Sequence, residues 1–227
     1  PRKQFAHKGN FGHALLIAGS KGMAGASALA ARACLRSGVG LLTVHAPMCN
    51  NDILQTSIPE AIVETDANET CFAVPTDTDD YQAVGIGPGL GRNEETEAAL
   101  LEQLEHCQAP VVVDADALNI LANHRHALTH LPKGSILTPH PKELERLTGS
   151  DSRKCICQNP GKHLLLPGSC CGKDRFKRRA FVWDVIIRAV GKFIKAVGIS
   201  SRSTLSQAKL EYLIMVRSIQ PVSGFRG

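Results

Sequence analysis

Four short stretches of this 227-residue chain carry residue types suited to chemistry on a phosphate-bearing ligand. Asp114-Ala115-Asp116-Ala117-Leu118-Asn119 places two carboxylates and an amide directly after the apolar run Val111-Val112-Val113. Carboxylates at the tip of a buried strand suit Mg²⁺, which takes a few protein oxygens and keeps water and phosphate for the rest of its shell. Asp116 has a second reading, as the cap of the helix that follows. Gly87-Pro88-Gly89-Leu90-Gly91 packs three glycines into five residues, with Arg92 beside it to meet an anion. Gly19-Ser20-Lys21-Gly22-Met23-Ala24-Gly25 is a second glycine loop, and the helix expected at Ala26 offers free N–H groups to phosphate. It matches neither the dinucleotide fingerprint nor the P-loop. Each glycine loop has a plainer alternative, a tight turn for the first and a cleft-shaping constraint for the second. Finally, His140 stands between Pro139 and Pro141. Two fixed φ angles present its ring rigidly, for structure or for function.

Regular elements must position these stretches. Residues 13–19 form a short apolar run ending in glycine, a buried strand. Residues 26–37 are rich in Ala and Leu, with Arg32 and Arg36 four apart, which predicts a helix stopped by Gly38 and Gly40. Residues 41–46 make a second strand ended by Pro47. Residues 82–86 lead as a strand into the second glycine loop. A helix follows over 93–106, with Asn93 as its cap and Glu94, Glu95 and Glu97 at its positive end. Residues 110–113 are a strand, 116–123 a helix, 135–138 a strand and 142–148 a helix. Strand, loop, helix and strand in repetition predict an α/β domain with a mostly parallel central sheet covered by helices. Ligands of such sheets bind beyond the carboxyl ends of the strands, where all four stretches fall.

Composition divides the chain near residue 150. Residues 1–150 hold 11 Lys+Arg against 17 Asp+Glu, a net of −6, whereas residues 151–227 hold 15 against 4, a net of +11. Such a swing marks a change of design. Cys34, Cys49, Cys71 and Cys107 are scattered among apolar residues of the first part, as reduced core thiols of a cytoplasmic protein would be. No run approaches the ~18–20 apolar residues of a membrane span. No apolar signal region follows Pro1, and the start at Pro1 points to a longer parent chain. Neither a membrane nor nucleic acid is expected as a partner. A homo-oligomer is expected.

The order of the motifs resembles a known family. His7-Lys8-Gly9-Asn10-Phe11-Gly12, then GSKGMAGASALAARACLRSGVGLLTV (19–44), GIGPGLGR (85–92), VVVDADALNIL (111–121) and ILTPHPKELERLTG (136–149) are similar to the NAD(P)H-hydrate dehydratases of the ribokinase-like superfamily. The resemblance implies a three-layer ribokinase-like fold over residues 1–150, with the C-terminal part missing or replaced. It implies ADP- or ATP-dependent dehydration of the S epimer of NAD(P)H hydrate, a lyase reaction of metabolite repair, with Mg²⁺ as cofactor. The hydrate's new hydroxyl is phosphorylated and phosphate is then eliminated. An upstream fused epimerase domain is a further implied partner. Carried over residue by residue, the hydrate would contact Ala26, Gly89 and His140. Gly25, Gly87, Gly91, Asp114 and Asn119 would lie at the phosphates or nucleotide. No metal ligand is assigned.

The family continues with a Lys-Gly segment, an Asn-x-x-Gly-Asn-x-x-(Met/Leu)-Ala stretch and a Gly-(Ser/Thr)-Gly-Asp motif whose Asp acts on the substrate hydroxyl. None of these follows Ser150, so no catalytic residue is assigned and activity is expected to be impaired. Three accounts of 151–227 stand open. It is an out-of-frame end; or a genuine basic tail with an amphipathic span at 181–197; or a zinc site from Cys155, Cys157, His163, Cys170 and Cys171, whose spacing fits zinc poorly. Two other functions stand beside hydrate repair: a ribokinase-like small-alcohol kinase, and a non-catalytic nucleotide-binding remnant with a basic interaction tail. The out-of-frame account makes a direct prediction. Translating the coding DNA beyond about codon 150 in the other two frames should yield Gly-(Ser/Thr)-Gly-Asp, and its absence from both disproves that account.

Overall fold

The computed structural model describes residues 8–149. The expectations for the basic tail, its cysteine set and the span 181–197 lie outside the described residues. Six strands form one sheet: β1 (His13–Ile17), β2 (Leu41–Pro47), β3 (Ile62–Asp66), β4 (Ala83–Ile86), β5 (Val111–Val113) and β6 (Ile136–Leu137). Their order is β3-β2-β1-β4-β5-β6 and every neighbouring pair is parallel. Five α-helices accompany them: α1 (Ala24–Arg36), α2 (Asn51–Ser57), α3 (Glu94–His106), α4 (Ala115–Asn123) and, after the last strand, α5 (Pro141–Thr148).

The alternation of β1 divides the core in two. Leu15 and Ile17 face one side, where they join Val84, Ile86, Val111 and Val113 beneath Leu100, Leu104, Leu118 and Leu121 of α3 and α4. Ala14, Leu16 and Ala18 face the other, against Ala28 and Ala31 of α1 and Leu54 of α2. Two faces covered by helices make three layers, as expected for parallel strands that are apolar on both sides. The predicted strands and helices fall where expected to within a few residues. Two elements were not anticipated. Helix α2 is short and polar, and β3 is a sheet edge whose Ile62 is half exposed, so neither shows a clear apolar period.

The second face of β2 is closed differently. Thr43 and His45 are buried there, and residues 67–82 pass over them. His45 lies 3.1 Å from Glu64 through Nδ1 and 3.1 Å from Asp66 through Nε2, with the Phe72 ring edge-on at 5.5 Å. Asp66 gathers the crossing segment. Its Oδ1 accepts from Asn68 N at 2.7 Å, and its Oδ2 accepts from Ala73 N at 2.9 Å and Val74 N at 3.1 Å. Burial pushes the Asp66 carboxyl upward, yet these backbone donors and His45 outweigh it and hold it below its ordinary value. The four cysteines of the first part are free, Cys71 and Cys107 are buried, and burial pushes the Cys34 thiol up to about 12.

A depressed carboxylate contributes stability above its unfolded pKa and loses it as pH falls through the folded one. Asp66→Asn offers one oxygen where the carboxylate offers two. It should cost roughly 1–3 kcal/mol in urea unfolding at pH 7. The difference from wild type should shrink on acidification through the Asp66 titration; a difference that stays constant would contradict this account.

Candidate functional site

Strands β2 and β3 extend the sheet one way from β1, and β4, β5 and β6 the other. The order therefore reverses between β1 and β4, and a crevice opens where their loops diverge. The two glycine loops meet there. Gly19 N donates to Pro88 O at 2.9 Å, and Ser20 Oγ donates to Gly89 O at 2.9 Å. Gly89 has φ +64°, and a Cβ there would stand 2.8 Å from the Cβ of Ala26 and 3.1 Å from that of Met23. Glycine is thus required twice over, by conformation and by contact. The structure brings Ala26 and Gly89, two of the expected hydrate contacts, directly together.

The start of α1 is open. Met23 provides no side-chain cap, and a Cβ on Gly25 would meet nothing within 4 Å. The helix starts two residues earlier than expected and Ala26 N donates to Met23 O at 3.0 Å, so the N–H groups open to an anion are those of Ala24 and of the exposed Gly25.

Gly87 and Gly91 tie the loop after β4 to the tip of β5 and to α4. Gly87 has φ +128°, and a Cβ there would fall 1.9 Å from Asp114 O, so the two backbones touch. Gly91 N donates to Asp116 Oδ2 at 3.1 Å. This corrects the reading of Asp116 as the helix cap. Helix α4 starts one residue earlier than expected, and Asp114 caps it, its Oδ1 accepting from Ala115 N at 2.8 Å. Asp116 lies in the first turn and holds the glycine loop instead. Ala115 carries φ +49°, an uncommon value for a residue with a side chain. Asn119 is turned toward α5: its Nδ2 donates to Ala115 O at 3.0 Å and its Oδ1 accepts from Arg146 at 2.6 Å.

His140 caps α5. Its Nδ1 faces the N–H groups of Lys142 and Glu143 at 3.2 and 3.4 Å, and Glu143 Oε2 accepts from His140 N at 2.8 Å. Both halves of a capping box are present. The ring is therefore fixed by the helix end as well as by its prolines. Thr138 N donates to Val113 O at 3.1 Å, which brings the His140 loop beside the tip of β5. Burial pushes the Asp114 carboxyl up, against the opposing influence of Thr138, Ala115 N and the His140 ring. Burial likewise raises Glu143, and the charge of Asp114 adds to it, while His140 and Arg146 oppose. Glu143 was missed in the sequence reading, although its position three residues after His140 is the spacing of a capping box. Among the described residues no group of three or more His, Cys, Asp or Glu side chains is arranged to hold a metal. No helix among them is long and apolar enough to cross a membrane.

A parallel three-layer sheet with its loops gathered at the switch point is a doubly wound α/β protein, and the solved structures that it matches narrow the class to ribokinase-like. A ribokinase-like superfamily protein of Enterococcus faecalis superposes with a TM-score of 0.57 at 29% identity, over 66% of this chain and 52% of that one. Within that class the NAD(P)H-hydrate dehydratase family model matches residues 14–162, and the chain belongs to this family. The ADP-dependent (S)-NAD(P)H-hydrate dehydratase of Staphylococcus aureus is 39% identical over 151 residues, 65% of this chain and 53% of that protein. The bifunctional NAD(P)H-hydrate repair enzyme of Moorella thermoacetica is 37% identical over 163 residues, 68% of this chain and 31% of that protein. An ADP/ATP-dependent NAD(P)H-hydrate dehydratase of Bacillus subtilis, crystallised with ATP and Mg²⁺, aligns with a TM-score of 0.55 at 31% identity, over 70% of this chain and 55% of that one. The chain thus spans about half the length of the single-function dehydratases it matches, and about a third of the bifunctional ones.

A carboxyl raised by folding weakens the folded state as pH rises from its ordinary value through its folded one. Asp114→Asn keeps a good helix cap and removes that penalty. The variant should melt at a higher temperature than wild type at pH 7, with the gain disappearing below the ordinary carboxylate range. A melting temperature lowered at both pH values would mean that the Asp114 charge supports the fold.

Proposed function

We propose that the chain binds NAD(P)H hydrate and an adenine nucleotide in the β1–β4 crevice, as a cytoplasmic, ADP- or ATP-dependent (S)-NAD(P)H-hydrate dehydratase. One observation carries this reading: the uncapped, open start of α1 beside the Ala26–Gly89 contact, at the point where the strand order reverses. Ala26, Gly89 and His140 would contact the hydrate. The open start of α1 at Gly25, with Gly87, Gly91, Asp114 and Asn119, would shape or contact the phosphate end. The nucleotide supplies the phosphoryl group and Mg²⁺ offsets its charge. Asp114 fits that ion in kind, since Mg²⁺ held mainly by phosphates needs only one or two carboxylates. The names of the bifunctional relatives support an upstream epimerase domain as a partner. A homo-oligomer is the expected assembly.

Phosphoryl transfer depends on positioning and on charge stabilisation in the transition state. The loops of residues 8–149 supply part of both. The Gly-(Ser/Thr)-Gly-Asp motif, absent after Ser150, would supply the group that acts on the hydroxyl. The expected result is therefore hydrate binding with turnover lower by roughly three orders of magnitude or more than in a relative that carries the motif. Recovery of NADPH absorbance from its hydrate, with ADP and separately with ATP, measures turnover; calorimetry with the hydrate measures binding. Phosphorylation of a small alcohol without hydrate binding would replace this reading by the kinase.

Gly25→Ala separates site from scaffold. A methyl group there meets nothing within 4 Å and suits a helix, so stability should hold or rise by about 0.5–1 kcal/mol. Nucleotide or hydrate binding should weaken, because the methyl projects into the space where an anion would approach the first turn. Unchanged binding would exclude the start of α1 from the site.

A further inference from the structure

One face of the sheet has no described helix over β5 and β6. Helix α1 packs on β1 and β2 and helix α2 on β3, and the apolar cluster beneath them reaches Ala83 of β4 but no residue of β5 or β6. Register sets Leu16, Gly85, Val112 and Ile136 in one row on that face, and Gly85, Val112 and Ile136 are only half buried. Leu147 of α5 joins the opposite core with α3 and α4, so these three helices all lie on the other side. A parallel sheet is apolar on both faces and needs cover on both. By alternation Asp114 and Thr138, two residues beyond Val112 and Ile136, follow on the same side, so whatever covers the row borders the candidate site.

Residues 181–197 carry a pattern that suits this row. At helical spacing Trp183, Ile186, Val190, Phe193 and Val197 recur every three or four residues and share one stripe, whereas Asp184, Arg188, Lys192 and Lys195 share the opposite one. The segment lies beyond residue 162, where the family match ends. We propose that residues 181–197 dock as an amphipathic helix on the Gly85–Val112–Ile136 row, so that the chain's own tail closes the open face of its sheet. Length permits this: an extended link over residues 150–180 reaches roughly 100 Å, several times the roughly 25 Å width of six strands. Charge favours it, because residues 151–227 carry a net of +11 and residues 1–150 a net of −6. The same negative charge on the domain opposes its approach to an anionic lipid surface. A second copy must compete with a tether that holds the segment at an effective concentration on the order of a millimolar. The docking does not depend on hydrate repair.

Trp183 is the chain's single tryptophan, so its fluorescence reads the docking in the full 227-residue chain. In wild type we expect blue-shifted emission, shielded from acrylamide and unchanged on dilution. Ile186→Asp on the segment, and Val112→Lys or Ile136→Lys on the sheet, should each shift the emission to the red and remove the shielding. Ile53→Lys, at an exposed position of α2, should leave Trp183 as it was. A solvent-exposed Trp183 in wild type would overturn the docking. A shielded Trp183 that ignores Val112→Lys and Ile136→Lys in folded variants would overturn the choice of face. Shielding that fades on dilution together with a fall in mass would make a second copy the occupant, and shielding gained only on adding phosphatidylserine vesicles would make it a membrane surface; either result overturns the proposal. Should both lysine variants unfold, Ile186→Asp leaves the sequence of the described domain intact. It should move the δ-methyl NMR signal of Ile136, assigned by its loss in Ile136→Val, and leave that of Ile53 in place. An unmoved Ile136 signal there also overturns the docking.

Discussion

The approach of the β1 loop to the β4 loop is the constraint on which the site depends. Parallel strands leave their carboxyl ends splayed by the twist of the sheet. Here Gly19 N to Pro88 O and Ser20 Oγ to Gly89 O close the gap, and Gly89 is pressed against Ala26 with a spacing that no larger residue would permit. The contact fixes two things together. It sets the distance between the start of α1 and the second glycine loop, and it keeps side chains out of the space in front of that helix. Through Gly91 and Asp116 the same loop is bound to α4, and through Gly87 to the tip of β5. Displacement at the Gly89 contact would therefore propagate to Asp114.

Much of the fold was legible because apolar runs and glycines mark it. The buried strands consist mostly of Ala, Val, Leu and Ile, and α1 and α3 each follow a loop rich in glycine. The clearest local success was the cap at Asn93, whose side chain accepts from Thr96 N at 3.1 Å. What escaped were features decided by partners far away in sequence. The edge strand β3 is held by β2 and by the His45–Asp66 bond, not by an apolar pattern of its own. Choosing between Asp114 and Asp116 as the cap of α4 required the position of Gly91, more than twenty residues away. The sequence reading placed its candidate loops at the carboxyl ends of the strands, which is where they lie. It did not reveal that two of its residues touch, nor that a third is held by a buried glutamate.

The two faces of the sheet are not equally covered. Register places Leu16, Gly85, Val112 and Ile136 in one row on the α1 side. Leu16 is under α1, but Gly85, Val112 and Ile136 belong to neither apolar cluster and are only half buried. On the opposite face the matching row of Ile17, Ile86, Val113 and Leu137 lies within one continuous core. Burial of a valine or isoleucine is worth about 1.5–3 kcal/mol, so this uncovered row marks the side on which the described domain has least to spare.

The candidate loops are held independently of that row. The glycine loops, Asp114 and His140 are each fixed by partners within residues 8–149: Pro88, Ala26, Ala115, Val113 and Glu143. Their geometry does not depend on the parts of the relatives that this chain fails to match. The group that would act on the hydroxyl does depend on them. The capping box sharpens the point. His140 and Glu143 bond each other across one turn of a single helix, so the most specific polar feature of the candidate site is also its most local one.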